Sequence, residues 1–96
     1  MDLLILVTHP DAAPMVKSLA RACARAGIEW GVFFTHEGVR LLQDPELCEV
    51  LRQARTAVAC LDSWSRCMRD DPCPVEMGSQ TDSSALAGRA RQVISL

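Results

Sequence analysis

The apolar positions of this chain change period several times along its length, and each change predicts an element. Leu3 to Val7 is an unbroken apolar run, the pattern of a parallel strand buried on both faces. Thr8-His9-Pro10-Asp11 interrupts it, with Asp11 placed to cap a helix. Val16, Leu19, Ala20 and Cys23 then recur at i, i+3, i+4 and i+7, one buried helical face, and Gly27 supplies the stop. Ile28 to Phe34 is rich in β-branched and aromatic residues and predicts a second strand. A short helical stretch runs from Glu37-Gly38-Val39 to about Gln43. Asp44-Pro45 restarts the helix as cap and first residue, followed by the stripe Leu47, Val50, Leu51 and Ala54. Thr56 to Ala59 is a third strand ending at Cys60. Asp62 or Ser63 caps a following helix to about Arg69. Asp70 to Gln80, broken by Pro72, Pro74 and Gly78, has no period and is expected to be a loop, with room for a short strand. Thr81-Asp82 caps a last helix to about Ala90, and Gln92 to Leu96 is a terminal strand.

Strand and helix thus alternate, which predicts an α/β fold. The expected architecture is a three-layer sandwich, with a small, mostly parallel sheet of four to five strands and helices on both faces. The 96 residues form a single domain spanning 1–96. An apolar fraction of 49% excludes wholesale disorder. A core this small is marginal alone, so association with copies or relatives is expected. The net charge of -2, with acids and bases interspersed, gives no basic surface for nucleic acid or anionic membrane. The first residues lack the basic start and the long apolar run of an export signal, and no stretch approaches a membrane span. With an odd number of cysteines (Cys23, Cys48, Cys60, Cys67 and Cys73), this points to reduced thiols in the cytoplasm.

In parallel sheets, sites form at the carboxyl ends of the strands. Three segments meet there: Thr8 to Asp11, with His9 and Asp11; Thr35 to Gly38, with His36 and Glu37; and Cys60 to Ser65. Cys60 stands just before a helix, where the positive end of the macrodipole favours a thiolate, and Arg66 and Arg69 add to that field. Cys23 and Cys48 lie on or beside helical apolar stripes and read as core. Cys67 and Cys73 fall in a segment expected to be exposed. His9 and His36 at such a rim bond backbone more often than they act as general bases. The spacing of Cys60, Cys67 and Cys73 matches no structural zinc pattern, so no metal is expected. No glycine-rich loop follows the first strand, which argues against a nucleotide.

Three stretches resemble the DsrE family of sulfur-relay proteins, which includes TusD-type and DsrF/DsrH-type subunits. Phe33-Phe34-Thr35-His36-Glu37-Gly38-Val39 with Leu41-Leu42 is similar to the family's second-strand exit. Val58-Ala59-Cys60-Leu61-Asp62-Ser63 is similar to its third-strand exit, and Gly78 to Leu96 to its closing helix and strand. The resemblance implies that Cys60 matches the position at which members accept sulfur. It also implies rhodanese-like or TusA-like proteins as donors and acceptors, a homo- or hetero-oligomer, trimeric or hexameric, and no cofactor. Cys67, Cys73, His36, Glu37 and His9 are auxiliary candidates on position alone. Two rival readings stand beside sulfur transfer. One is a non-catalytic interaction subunit of the same fold with Cys60 packed. The other is a thiol redox or metal-responsive module using Cys60, Cys67 and Cys73.

Overall fold

The computed structural model describes all residues, Met1–Leu96. The strands are β1 (Leu3–Val7), β2 (Trp30–Phe34), β3 (Thr56–Cys60), β4 (Glu76–Gly78) and β5 (Gln92–Ser95). The helices are α1 (Ala13–Ala26), α2 (Pro45–Leu51), α3 (Leu61–Met68) and α4 (Gln80–Arg89), with a 3-10 segment at His36–Gln43. All five strands are parallel and lie in the order β4-β3-β2-β1-β5. The α/β class and the helices on both faces agree with the sequence reading. No helix is long and apolar enough to cross a membrane.

Strand order decides which face each helix covers. The chain steps from β1 to β2 to β3 to β4 in one direction across the sheet, then returns past β1 to add β5 at the far edge. Right-handed crossovers put every connection made in one direction on one face, and the single return on the other. The packing agrees. Ile5, Val7, Trp30, Val32, Phe34 and Ala59 face a core filled from α1, the 3-10 segment, α2 and α3. On the opposite face Phe33, Val58 and Cys60 form a smaller cluster, touched by Leu86 of α4. That second layer is thin: α4 has no buried residue, only half-buried Ser83, Leu86 and Ala87.

Local chemistry departs from the sequence reading at several element ends. α1 begins after Ala12 with no side-chain cap; Asp11 lies outside it, and its carboxylate faces the His9 ring at 3.7 Å. Asp44 caps α2 as expected, accepting from the Glu46 and Leu47 N–H groups, and its carboxylate also binds Lys17 of α1 at 2.8 Å. α3 starts at Leu61, so Cys60 itself is the cap residue, not Asp62 or Ser63. The expected loop contains β4, whose Gly78 pairs with Cys60. α4 begins at Gln80 under a capping box between Ser79 and Asp82, its cap two residues ahead of the expected Thr81.

Gly38 fixes how closely the 3-10 segment meets the sheet. A Cβ at this position would collide with the Val7 carbonyl, and its N–H is bonded to the Thr35 carbonyl at 3.0 Å. The obstacle is strand backbone, which cannot move aside. Gly38→Ala should therefore lower stability by about 2–3 kcal/mol, the cost of overpacking a rigid site. Urea unfolding measures it; an unchanged midpoint would show that the segment sits farther from β1.

Candidate functional site

In a doubly wound parallel sheet the open crevice lies where adjacent strands send their chains to opposite faces. Here that point is between β3 and β4. β3 leads into α3 on the main face, whereas β4 leads into α4 on the other. Cys60 closes β3, Gly78 closes β4 beside it, and the N-termini of α3 and α4 flank the gap. The topology thus brings Cys60 and the first residue of α4, Gln80, to one place although twenty positions separate them.

The Cys60 side chain is nearly enclosed, with 3% of the residue exposed. Around it runs a polar chain in an otherwise apolar setting. Gln80 Nε2 donates to Thr35 Oγ1 at 3.0 Å and to Cys60 Sγ at 3.6 Å. Thr35 Oγ1 and Ser63 Oγ lie 3.3 Å apart, and the His36 N–H donates to Ser63 Oγ at 2.8 Å. Ser63 Oγ thus accepts from the His36 N–H and shares a hydrogen bond with Thr35 Oγ1, while Gln80 links this pair to the Cys60 sulfur.

Burial is the largest single influence on the Cys60 thiol and acts to raise its pKa. The Ser63 hydroxyl, the N–H groups of Ser63 and Asp62, and the Gln80 amide oppose it and together prevail, so the pKa lies below the ordinary thiol value. The N–H groups act as charge partners from the first turn of α3 without closing an aligned cap hydrogen bond. Burial chiefly pushes the other four thiols up. Cys60 is the one thiol whose surroundings favour the anion.

The remaining candidates fall elsewhere. Cys67 is half-buried on α3, with its Sγ 3.5 Å from Glu37 Oε2 and 3.8 Å from the His36 carbonyl. His36, Glu37, Arg40, Arg66 and Cys67 line an open groove of about 310 Å³ on the main-face side. Cys73 is not drawn toward Cys60: it is half-buried against the main core, close enough to Cys48 to influence it. The expectation that Cys67 and Cys73 are exposed is corrected to half-buried, because α3 and the Pro-flanked segment pack onto the main face. His9 stands at the end of β1, two strands away from β3, beside Asp11. No three His, Cys, Asp or Glu side chains converge with metal-binding geometry.

Sequence reading put Cys60 and the Thr35 to Gly38 segment at this rim, but it missed Gln80 and took Ser63 only for a helix cap. The signal that finds Gln80 is β4: once Glu76–Gly78 pairs with β3, the next residues must emerge beside Cys60. No protein-family model matches this chain, and no curated protein matches it.

Because hydrogen-bond donors stabilise its anion, Cys60 should alkylate first under limiting iodoacetamide. Its rate should rise with pH to a midpoint below that of an unperturbed cysteine thiol. Ser63→Ala removes a donor and should move that midpoint upward. Peptide mass spectrometry reads both effects; first labelling at Cys67 or Cys73 would contradict the assignment.

Proposed function

We propose that this chain is a DsrE-like sulfur-relay protein that carries sulfane sulfur as a persulfide on Cys60. The observation that supports the reading best is the convergence of donors on one thiol at the crevice of the sheet. A sulfur carrier needs an anion to attack with, and the same donors can stabilise the negative charge of the bound persulfide.

The chemistry closes without metal or organic cofactor. The Cys60 thiolate attacks the outer sulfur of a protein persulfide. A new S–S bond forms to Cys60, the donor's S–S bond breaks, and the donor leaves as a thiolate. In the second half an acceptor thiolate attacks the outer sulfur held on Cys60, takes it, and restores the Cys60 thiolate. One S–S bond is exchanged in each half, so no net oxidant or reductant is consumed. Rhodanese-like or TusA-like proteins in the cytoplasm suit both partner roles. Gln80 covers the thiol from the thinly anchored α4, so a donor reaches it when the α4 N-terminus moves aside.

The burial of Cys60 favours a second reading, a non-catalytic subunit of the same fold in which the thiol is packing. The two separate cleanly. With a polysulfide donor, Cys60 should gain about 32 Da, one sulfur atom added on the thiol's oxidation ladder, and Cys60→Ser should abolish the gain. A protein that stays unmodified at Cys60 while remaining folded belongs to the second reading.

The relay reading carries an assembly of three or six copies or relatives. The large apolar side chains left outside, Met15, Ile28, Leu61, Met77 and Val93, suit such an assembly. Light scattering at high micromolar concentration should return a mass above that of one 10.5 kDa chain; a monomer mass would remove this part of the proposal.

A further inference from the structure

We propose that Gln80 is a catalytic residue of this site: its side-chain amide closes the opening to the Cys60 sulfur, donates a hydrogen bond to it, and is held there by Thr35. This rests on the reading of Cys60 as the nucleophile and says how access to it is governed.

The sulfur is shut in on its other sides. Phe33 and Val58 pack against it from the sheet, and Phe33 is fully buried. Gly78 pairs with Cys60 along the neighbouring strand β4, and the first turn of α3 follows directly. No groove on the surface is lined by Cys60. The remaining side is covered by Gln80, an exposed residue on a helix that buries no residue. A donor therefore meets the sulfur by displacing this amide.

Gln80 Nε2 donates to Thr35 Oγ1 at 3.0 Å and to Cys60 Sγ at 3.6 Å. The nitrogen carries two hydrogens, so neither bond competes with the other. Thr35 is a fixed post. Its residue is buried, its N–H donates to the Val7 carbonyl at 2.9 Å, and its carbonyl accepts from the Gly38 N–H at 3.0 Å. The helix itself makes no demand on the Gln80 side chain, because Ser79 and Asp82 form the cap. The amide is left free to serve the sulfur.

In so enclosed a place a neutral N–H donor favours the anion of the sulfur without a buried cation. β2 and β3 bring no charged side chain to it. On α3, Asp62 offers its N–H, and Arg66 lines the groove on the main-face side. On α4, Asp82 is engaged by the Ser79 N–H and hydroxyl. Glu76 of β4 lines a groove with Val58, and Glu37 of the 3-10 segment is paired with Arg40. Removing the amide should then have two opposed effects: the thiol ionises less readily and is reached more readily.

Alkylation of Cys60 with iodoacetamide and with the bulkier, equally neutral iodoacetanilide separates these effects. Both reagents carry the same reacting group, so the ratio of their rates reads access, and the pH midpoint reads ionisation. In Gln80→Ala the midpoint should rise by about one pH unit, the loss of one hydrogen bond to a charged group. The bulky reagent should gain on the small one by about fivefold as the covered side opens. Gln80→Glu keeps the shape but replaces both N–H donors by acceptors, so its midpoint should rise at least as far. Thr35→Val frees the amide from its post and should also let the bulky reagent gain. Alanine and glutamate both suit the first turn of a helix, and the Ser79–Asp82 cap is untouched, so α4 is retained. An unchanged midpoint in Gln80→Ala, a glutamate variant matching wild type, or an unchanged reagent ratio in Gln80→Ala or Thr35→Val would each overturn the proposal. A Cys60 that labels ahead of the other thiols yet ignores residue 80 removes the role of Gln80 and leaves the relay reading. A Cys60 that shows these shifts but takes no sulfur from a polysulfide upholds the role of Gln80 and removes the relay reading. A Cys60 that fails to label ahead of the other thiols removes both.

Discussion

Right-twisted parallel strands accept crossovers of one hand only, and in this chain that constraint decides nearly everything else. Three successive steps across the sheet put α1, α2 and α3 on one face. The one backward step, from β4 at one edge to β5 at the other, puts α4 on the opposite face. Reversing direction after β4 separates α3 from α4, and the separation opens the crevice that Cys60 occupies. The well-filled main core and the thin second layer are two sides of the same event. A face served by three helices and a 3-10 segment buries its residues deeply, whereas a face served by one small-residue helix does not.

Much of this was legible in the sequence because the main face is strongly patterned. The continuous run Leu3–Val7, the stripe Val16, Leu19, Ala20 and Cys23, and the Asp44-Pro45 start all mark burial against a large core. β4 was not legible, for a physical reason. It is three residues long, lies at an edge, and follows Pro72 and Pro74, so neither alternation nor an apolar run marks it; register with β3 makes it a strand. The helix ends were blurred because polar side chains compete for the role of cap. Asp62 and Ser63 are good caps by type, but the chain turns at Cys60, and both fall within the first turn. The site shows the same division. Cys60 and Thr35 could be placed at the rim because each follows a strand. Gln80 carries no spacing signal, since only the pairing of β3 with β4 brings it there.

A buried thiol is ordinarily inert, because desolvation penalises the anion. This one is surrounded by dipoles instead of a positive charge. An adjacent lysine or arginine in so enclosed a space would itself need desolvating. Hydroxyls, an amide and helix N–H groups are neutral, so they can be buried and still favour a negative sulfur. A strained backbone stands beside this site: His36, at φ 53°, donates its N–H to the Ser63 hydroxyl.

The backward step has a further consequence, in the order of folding. β1 is an interior strand whose second neighbour, β5, comes from the other end of the described chain: Leu3 pairs with Gln92 and Ile5 with Ile94. Closing so long a loop is slow relative to pairing with β2, because its entropy must be spent before the contacts return it. Until Gln92–Ser95 dock, an apolar strand presents a bare edge of unpaired N–H and C=O groups, ready to template another chain. During synthesis that edge stays open until Gln92–Ser95 emerge. The geometry that opens the crevice beside Cys60 therefore leaves the nascent protein vulnerable to aggregation, with β5 acting as the seal of that edge.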